Sequence, residues 1–98
     1  MNLNKDIIVQ RLRSIKPSLN EKYDLAEMAL FGSYARDEQT PGSDIDIMVD
    51  LKDISYRKLC YTAYALEELF PGIKVQVVSK GGIRPQYFDR LKKDLIYA

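Results

Sequence analysis

Phe31-Gly32-Ser33-Tyr34-Ala35-Arg36-Asp37-Glu38-Gln39-Thr40-Pro41-Gly42-Ser43-Asp44-Ile45-Asp46-Ile47-Met48-Val49 is the stretch around which this chain is organised. The run Leu25 to Phe31, broken only by Glu27, reads as a strand that delivers the chain to Gly32-Ser33. Glycine there lets the backbone turn tightly and approach a ligand. Tyr34-Ala35-Arg36 is expected to begin a short helix, with Ser33 as its cap. The N–H groups of Ser33 and Tyr34 would then stand at a helix N-terminus, a place that favours anions. The Ser33 hydroxyl could donate to a phosphate oxygen, and Arg36 could add a bidentate contact to a triphosphate. Thr40-Pro41-Gly42 is a loop by its punctuation. Ile45, Ile47 and Val49 alternate with Asp44, Asp46 and Met48, which gives a strand with one core face and one functional face.

Asp44 and Asp46, two apart on a strand, point to the same side, roughly 6.5–7 Å apart along the backbone. Two carboxylates this close repel each other unless a cation lies between them. Mg²⁺ suits the position, because it takes oxygen ligands and leaves places for substrate phosphates. A phosphate-gripping turn beside a paired-carboxylate metal site is what nucleotidyl or phosphoryl transfer requires, with two Mg²⁺ ions expected. Each part taken singly has an ordinary reading: Gly-Ser as a turn, Asp-x-Asp as a solvated strand face, Arg36 as a surface charge. Their order and flanking strands make the combination specific.

Composition narrows the alternatives. Ninety-eight residues form one small domain, 1–98. Such a chain buries roughly 60–65% of its unfolded surface. A formal net charge of +1 argues against nucleic-acid binding driven by bulk charge, and no direct nucleic-acid contact is expected. There is one cysteine, Cys60, and no histidine. Intrachain disulfides, structural zinc and Ser-His or Cys-His nucleophilic mechanisms are thereby excluded. Cys60 itself reads as a small buried or half-buried hydrophobe. No apolar run approaches a membrane span and no secretory segment opens the chain, so a cytoplasmic setting is expected.

Working outward, Leu3, Ile7, Leu12 and Ile15 recur at helical spacing over 4–16, and Pro17 is expected to end that helix. Ser55 reads as the N-cap of a helix to about Leu69, with Leu59, Ala63, Leu66 and Phe70 inward. Pro71-Gly72 closes it, and Ile73 to Val78 is a β-branched strand. Gly81-Gly82 turns the chain into a last helix opened by Pro85, with Phe88, Leu91 and Leu95 on the core. The fold class is α/β, a small mixed sheet with helices mainly on one face and the other face partly open.

The motifs resemble the minimal nucleotidyltransferases of the DNA polymerase β-like superfamily. That family's mark is Gly-Ser, ten residues, then Asp-x-Asp, and it stands at Gly32, Ser33, Asp44 and Asp46. Leu30 to Arg36, Ser43 to Ile47, and Lys74 to Val78 followed by Pro85 extend the likeness over nearly the whole chain. The resemblance implies a palm-like sheet and nucleotide binding at Gly32, Ser33, Tyr34 and Arg36. It also implies catalytic, metal-holding aspartates at Asp44 and Asp46. Members are antitoxin-type proteins paired with a helical HEPN-domain toxin. The implied reaction is transfer of AMP from ATP, with Mg²⁺, to a tyrosine hydroxyl of that partner.

The sequence departs from the family at Gln76, where a third aspartate usually helps hold a metal and takes the acceptor's proton. An amide oxygen can be a weak metal ligand but not a general base. Asp50 is about 13 Å along the strand from Asp46, too far to substitute. Asp53 lies further still, while Glu38 is near enough to swing in or to serve as a surface charge. Three functions stay open: an active AMP transferase, an impaired antitoxin that occludes its partner, and a transferase acting on a small molecule or RNA. The last lacks a second domain to build its substrate pocket. Tyr56, Tyr61 and Tyr64 read as a half-buried helix flank or a partner surface. Lys80, Arg84, Arg90, Lys92 and Lys93 read as a solvated basic face or a contact for triphosphate or an acidic partner. An open sheet face favours association with a copy of the chain or with the partner.

Overall fold

A computed structural model of the chain describes residues 3–53 and 55–98. Helix α1 (Lys5–Tyr23) leads into strands β1 (Leu25–Phe31) and β2 (Ile45–Leu51). Helix α2 (Tyr56–Glu68), strand β3 (Val75–Ser79), helix α3 (Pro85–Leu91) and strand β4 (Ile96–Tyr97) follow, with a 3₁₀ turn at Lys80–Gly82. The sheet order is β3-β2-β1-β4. β2 runs antiparallel to β1 and parallel to β3, so α2 is the crossover between parallel neighbours. This is the mixed α/β architecture that the alternating apolar pattern implies.

Strand period sorts the side chains into two cores. Met28, Leu30, Ile45, Ile47 and Val49 point to one face and pack under α1 and α2, against Ile8, Leu12, Leu66 and Phe70. Ala29, Phe31 and Met48 point to the other, where Leu91 of α3 covers them with Phe88 and Leu95 beside it. Two helices thus take one face and a single short helix part of the other, so the second face stays partly open. Asp46 and Gln76 belong to that second face by register.

Helix α1 corrects the expected stop at Pro17: it runs through Pro17 to Tyr23. A proline removes one N–H from the helix ladder, but Pro17 itself is solvent-exposed and Leu19, one half-turn on, is buried at 2% exposure. Burying Leu19 outweighs the missing bond. The helix ends instead at Asp24, whose φ of 59° is left-handed and whose N–H bonds the carbonyls of Asn20 and Leu19. At the other end Asn4 caps the N–H of Ile7 at 3.0 Å. Its buried stripe is Ile8, Val9, Leu12 and Leu19, and the expected Leu3, Ile7 and Ile15 are half-buried.

Helix α2 starts at its expected cap, Ser55, whose Oγ accepts from the Lys58 N–H. Its buried positions are Thr62 and Leu66, with Phe70 buried just past its end. The Thr62 hydroxyl satisfies itself on the Lys58 carbonyl at 2.8 Å, which is how a polar residue is tolerated there. The Lys58 ammonium ties α2 to Asp24 at 2.6 Å and to Asp53 at 3.0 Å. That bond, with the nearby Lys58 charge, holds the Asp24 carboxyl below its ordinary range. A depressed carboxylate contributes stability above its unfolded value, and the contribution is lost as pH falls through the folded one. Lys58→Met is therefore expected to lower Tm slightly at neutral pH. The gap to wild type should close as pH drops below about 4, which paired melting curves measure directly.

The last helix is shorter than expected, ending at Leu91, and the chain then adds β4 along β1. Ala98 N–H donates to the Met28 carbonyl at 2.9 Å, and the Lys16 ammonium donates to the Ala98 carbonyl at 2.8 Å. A two-residue strand carries no periodicity of its own. It forms because β1 offers an unpaired edge there. Among the described residues no helix is long and apolar enough to cross a membrane.

Candidate active site

Gly32 follows the last residue of β1 with φ +78°. A Cβ at that position would collide with Oδ2 of Asp46 and stand 3.1 Å from its Cγ. Only glycine both adopts this backbone and leaves room for the carboxylate. Gly32→Ala is expected to cost about 1–3 kcal/mol in stability through the left-handed strain. It should cost on the order of 100-fold in turnover by displacing Asp46. Melting curves and turnover measured on one preparation separate the two effects.

The expected short helix after Ser33 is a single closed turn. The Arg36 N–H reaches the carbonyls of Gly32 and Ser33, both at 3.2 Å, and the Glu38 N–H returns to the Ser33 carbonyl at 2.9 Å. Asp37, at φ 57°, stops the turn in the left-handed conformation. Tyr34 and Ala35 are 7% and 9% exposed within the main core and pin the turn to the body. One turn has no helix dipole worth the name, so any anion affinity rests on individual N–H groups. Those of Ser33 and Tyr34 donate no backbone hydrogen bond among the described residues. The Tyr34 ring is an anchor, which leaves its N–H as the candidate contact.

Asp46 pairs in register with Phe31 on β1 and Gln76 on β3. Gly32, Asp46 and Gln76 therefore meet on one face across three strands. Asp44 lies just before β2, half-buried like Asp46. Burial, and then the Asp44 charge, push the Asp46 carboxyl above its ordinary range, with Arg36 pulling the other way. Such a carboxylate gains most from a bound cation.

Gly32, Asp46 and Gln76 open onto a cleft of about 420 Å³ that Ser33, Arg36 and Asp94 also line, while Asp44 stands off its wall. Tyr87 and Arg90 of α3 form its far wall. The donor set, two carboxylates and an amide oxygen, consists of hard oxygens and fits Mg²⁺. Among the described residues no group of three carboxylate, thiol or imidazole side chains gathers to hold a metal.

Arg36 does reach the cleft, but it is engaged with Asp94 at 2.7 Å and Glu38 at 3.2 Å. Both bonds raise its proton affinity further. Glu38 is thus tied to Arg36 and does not reach toward the aspartates. Asp50 is registered opposite Glu27, and Asp53 is held by Lys58. Asp94 and Tyr87 were not legible as site residues, and Arg90 was legible only as one of five basic residues that read as a solvated face or as a contact for triphosphate or an acidic partner. All three sit in a charged C-terminal run, and only the fold of α3 over the sheet brings them in. Lys80 leans over the Phe88 ring at 6.0 Å and stays off the cleft wall. Tyr56, Tyr61 and Tyr64 are 81%, 48% and 63% exposed, more open than a half-buried flank, and Tyr61 stacks on Tyr23.

The nucleotidyltransferase domain model matches residues 12–98. This chain belongs to the nucleotidyltransferase domain family. It is 46% identical over 88 residues to "Putative protein adenylyltransferase MJ0128" of Methanocaldococcus jannaschii, covering 88% of this chain and 89% of that protein. It is 32% identical over 87 residues to "Protein adenylyltransferase MntA" of Thermococcus cleftensis, covering 88% and 87%. Among solved structures it resembles a "putative minimal nucleotidyltransferase", at TM-score 0.70 and 25% identity over 90% of this chain and 93% of that one. It also resembles a chain of the MntA–HpeT toxin–antitoxin complex at TM-score 0.56 and 26% identity, over 84% and 61%. That complex carries two aspartate-to-glutamate replacements two residues apart. The family assignment and the adenylyltransferase relatives make this chain an enzyme of the nucleotidyltransferase class.

Proposed function

We propose that this chain is a Mg²⁺-dependent protein adenylyltransferase. Residues 1–98 act as one catalytic unit in the cytoplasm, moving AMP from ATP to a hydroxyl of a toxin partner. The preferred acceptor is a tyrosine of a helical, HEPN-type protein, whose activity the modification silences. The observation that carries this reading is Gly32 packed against Asp46 at the floor of a cleft shared with Ser33 and Arg36. The two-residue spacing of Asp44 and Asp46 equals that of the replaced aspartates in the MntA–HpeT complex.

In this reading Ser33 and the N–H groups of Ser33 and Tyr34 grip the phosphates, and Arg36 adds a cation beside them. Asp44, Asp46 and, weakly, the Gln76 oxygen hold the metal, which when bound offsets phosphate charge. The acceptor oxygen bonds the α-phosphorus, the bond to the β-phosphate bridge breaks, and pyrophosphate leaves. Gln76 cannot take the acceptor's proton, so that proton leaves to water through the open mouth of the cleft.

A second reading rests on the same Gln76: an impaired enzyme that neutralises its partner by occlusion. Intact-mass spectrometry of a co-expressed partner, incubated with ATP and Mg²⁺, decides between them. An added AMP that disappears with Asp44→Asn/Asp46→Asn supports transfer. An unmodified but still inhibited partner in a stable complex supports occlusion.

A further inference from the structure

Arg84, which precedes the last helix, and Arg90 within it border a cavity that the transfer reaction leaves unused. Arg84, Gln86, Tyr87 and Arg90 line a hollow of about 230 Å³ with no carboxylate on its wall. Among the described residues four cations are ion-paired, Lys5 with Asp37, Arg36 with Asp94, Lys58 with Asp24 and Lys92 with Asp89. Arg84 and Arg90 have neither an ion-pair nor a hydrogen-bond partner among the described residues. The one acidic residue of α3, Asp89, is engaged by Lys92 at 3.2 Å. The surface of the hollow is mostly apolar, and the two unpaired arginines that border it favour an anionic occupant beside their guanidinium groups.

The hollow is continuous with two neighbours. Tyr87 and Arg90 also stand on the wall of the nucleotide cleft. Arg84 and Tyr87 also border a largely apolar hollow of about 480 Å³ floored by Val78 and Ile83. Tyr87, at 50% exposure, therefore touches all three. The sequence runs apolar hollow, arginine pair, nucleotide cleft. Beside it lies β3, one of the two edge strands of the sheet.

We propose that this groove is the acceptor subsite and that it takes an acidic peptide segment. An apolar side chain fills the Val78–Ile83 hollow, a glutamate or aspartate lies between Arg84 and Arg90, and the hydroxyl residue enters the cleft past Tyr87. Charge complementarity selects the occupant. A triphosphate would not use it in this way, because Arg84 is off the cleft wall and the adjoining hollow is apolar. Arg90, on both walls, brings the acceptor's charge close to the nucleotide and so aligns the two substrates. The inference rests on the chain being a protein adenylyltransferase.

The test uses the full chain, isotope-labelled, with Mg²⁺ and a non-hydrolysable ATP analogue. Two short synthetic peptides serve as probes, one with a tyrosine flanked by glutamates, the other flanked by lysines. The acidic peptide is expected to shift amides across 78–90, and the lysine peptide to leave them in place. Arg84→Glu should weaken the acidic peptide about tenfold, the loss of one partly buried charge contact. It should admit the lysine peptide instead, while binding of the ATP analogue is unaltered. That exchange of preference is what a merely structural arginine would not produce. Equal binding of both peptides, or shifts confined to other residues, overturns the groove. Tighter binding of a uridine oligonucleotide at the same amides overturns it in favour of a nucleic-acid surface. Failure to bind the ATP analogue at all overturns the transferase reading itself, and is distinguishable because it appears before any peptide is added.

Discussion

Asp44→Asn/Asp46→Asn is expected to abolish adenylyl transfer and, in the same protein, to raise the melting temperature of the metal-free chain. The loss in rate should be on the order of 10³-fold or more, about 4 kcal/mol of transition-state stabilisation. In the proposed reaction the two carboxylates would hold the cation that offsets charge on the transferring phosphoryl group, and amides would bind it poorly. The gain in stability has a different source. Burial and the Asp44 charge both penalise ionised Asp46 in the folded state. A carboxyl whose folded value is raised costs stability once pH exceeds it, and the cost fades as pH falls back through that value. At neutral pH the wild type bears this cost in full and the asparagine variant does not. Melting curves from acid to neutral pH should therefore diverge, with the variant higher at pH 7 and the two merging in acid. Mg²⁺ should stabilise the wild type and leave the variant unmoved. A variant that melts lower at pH 7 without metal would mean that the two aspartates support the fold rather than a ligand.

This opposition explains how much of the site could be read from sequence. Candidate functional residues break the local pattern: Asp46 interrupts the apolar run Ile45 to Val49, Asp44 stands just before it, and Gly32 ends β1. Strand β1 was legible residue for residue because Leu25 to Phe31 is apolar except at Glu27 and Gly32 stops it. Gln76 was located beside Asp46 from family pattern, and the Asp46↔Gln76 register places it there. What failed was non-local. Pro17 obeys a local rule that the burial of Leu19 overrides. The turn after Ser33 looks helical up to Arg36, but Asp37 closes it. The partners of Arg36 could not be anticipated, since Asp94 is brought in by α3 folding over the second face. Strand β4 is two residues long and exists only because β1 has a free edge. The proposed acceptor groove shares that origin, for Arg84 and Arg90 read as a solvated face or as a contact for triphosphate or an acidic partner, and only the place of α3 over the sheet sets where they stand.

Gln76→Asp is the converse experiment, and it should increase turnover. Gln76 is solvent-exposed on β3 and lies directly across from Asp46, so a carboxylate there meets no steric obstacle. It would supply a third oxygen anion to the metal site and a group able to receive the acceptor's proton. General-base assistance is worth about 10²–10⁴-fold where proton removal limits the rate. The variant should also show a new acid limb in its pH–rate profile, as the added carboxylate must be ionised to act. Its metal-free stability should fall, because a third negative charge joins two that already repel. Mg²⁺ should restore stability to the variant more than to the wild type. A rate gain accompanied by the acid limb would identify Gln76 as the residue that restrains this enzyme. An unchanged rate, with the stability shift still present, would mean that the proton leaves by another route and that the glutamine costs nothing. Glutamine would then be neutral in turnover and favourable in folding, since it spares the metal-free site the repulsion of a third carboxylate.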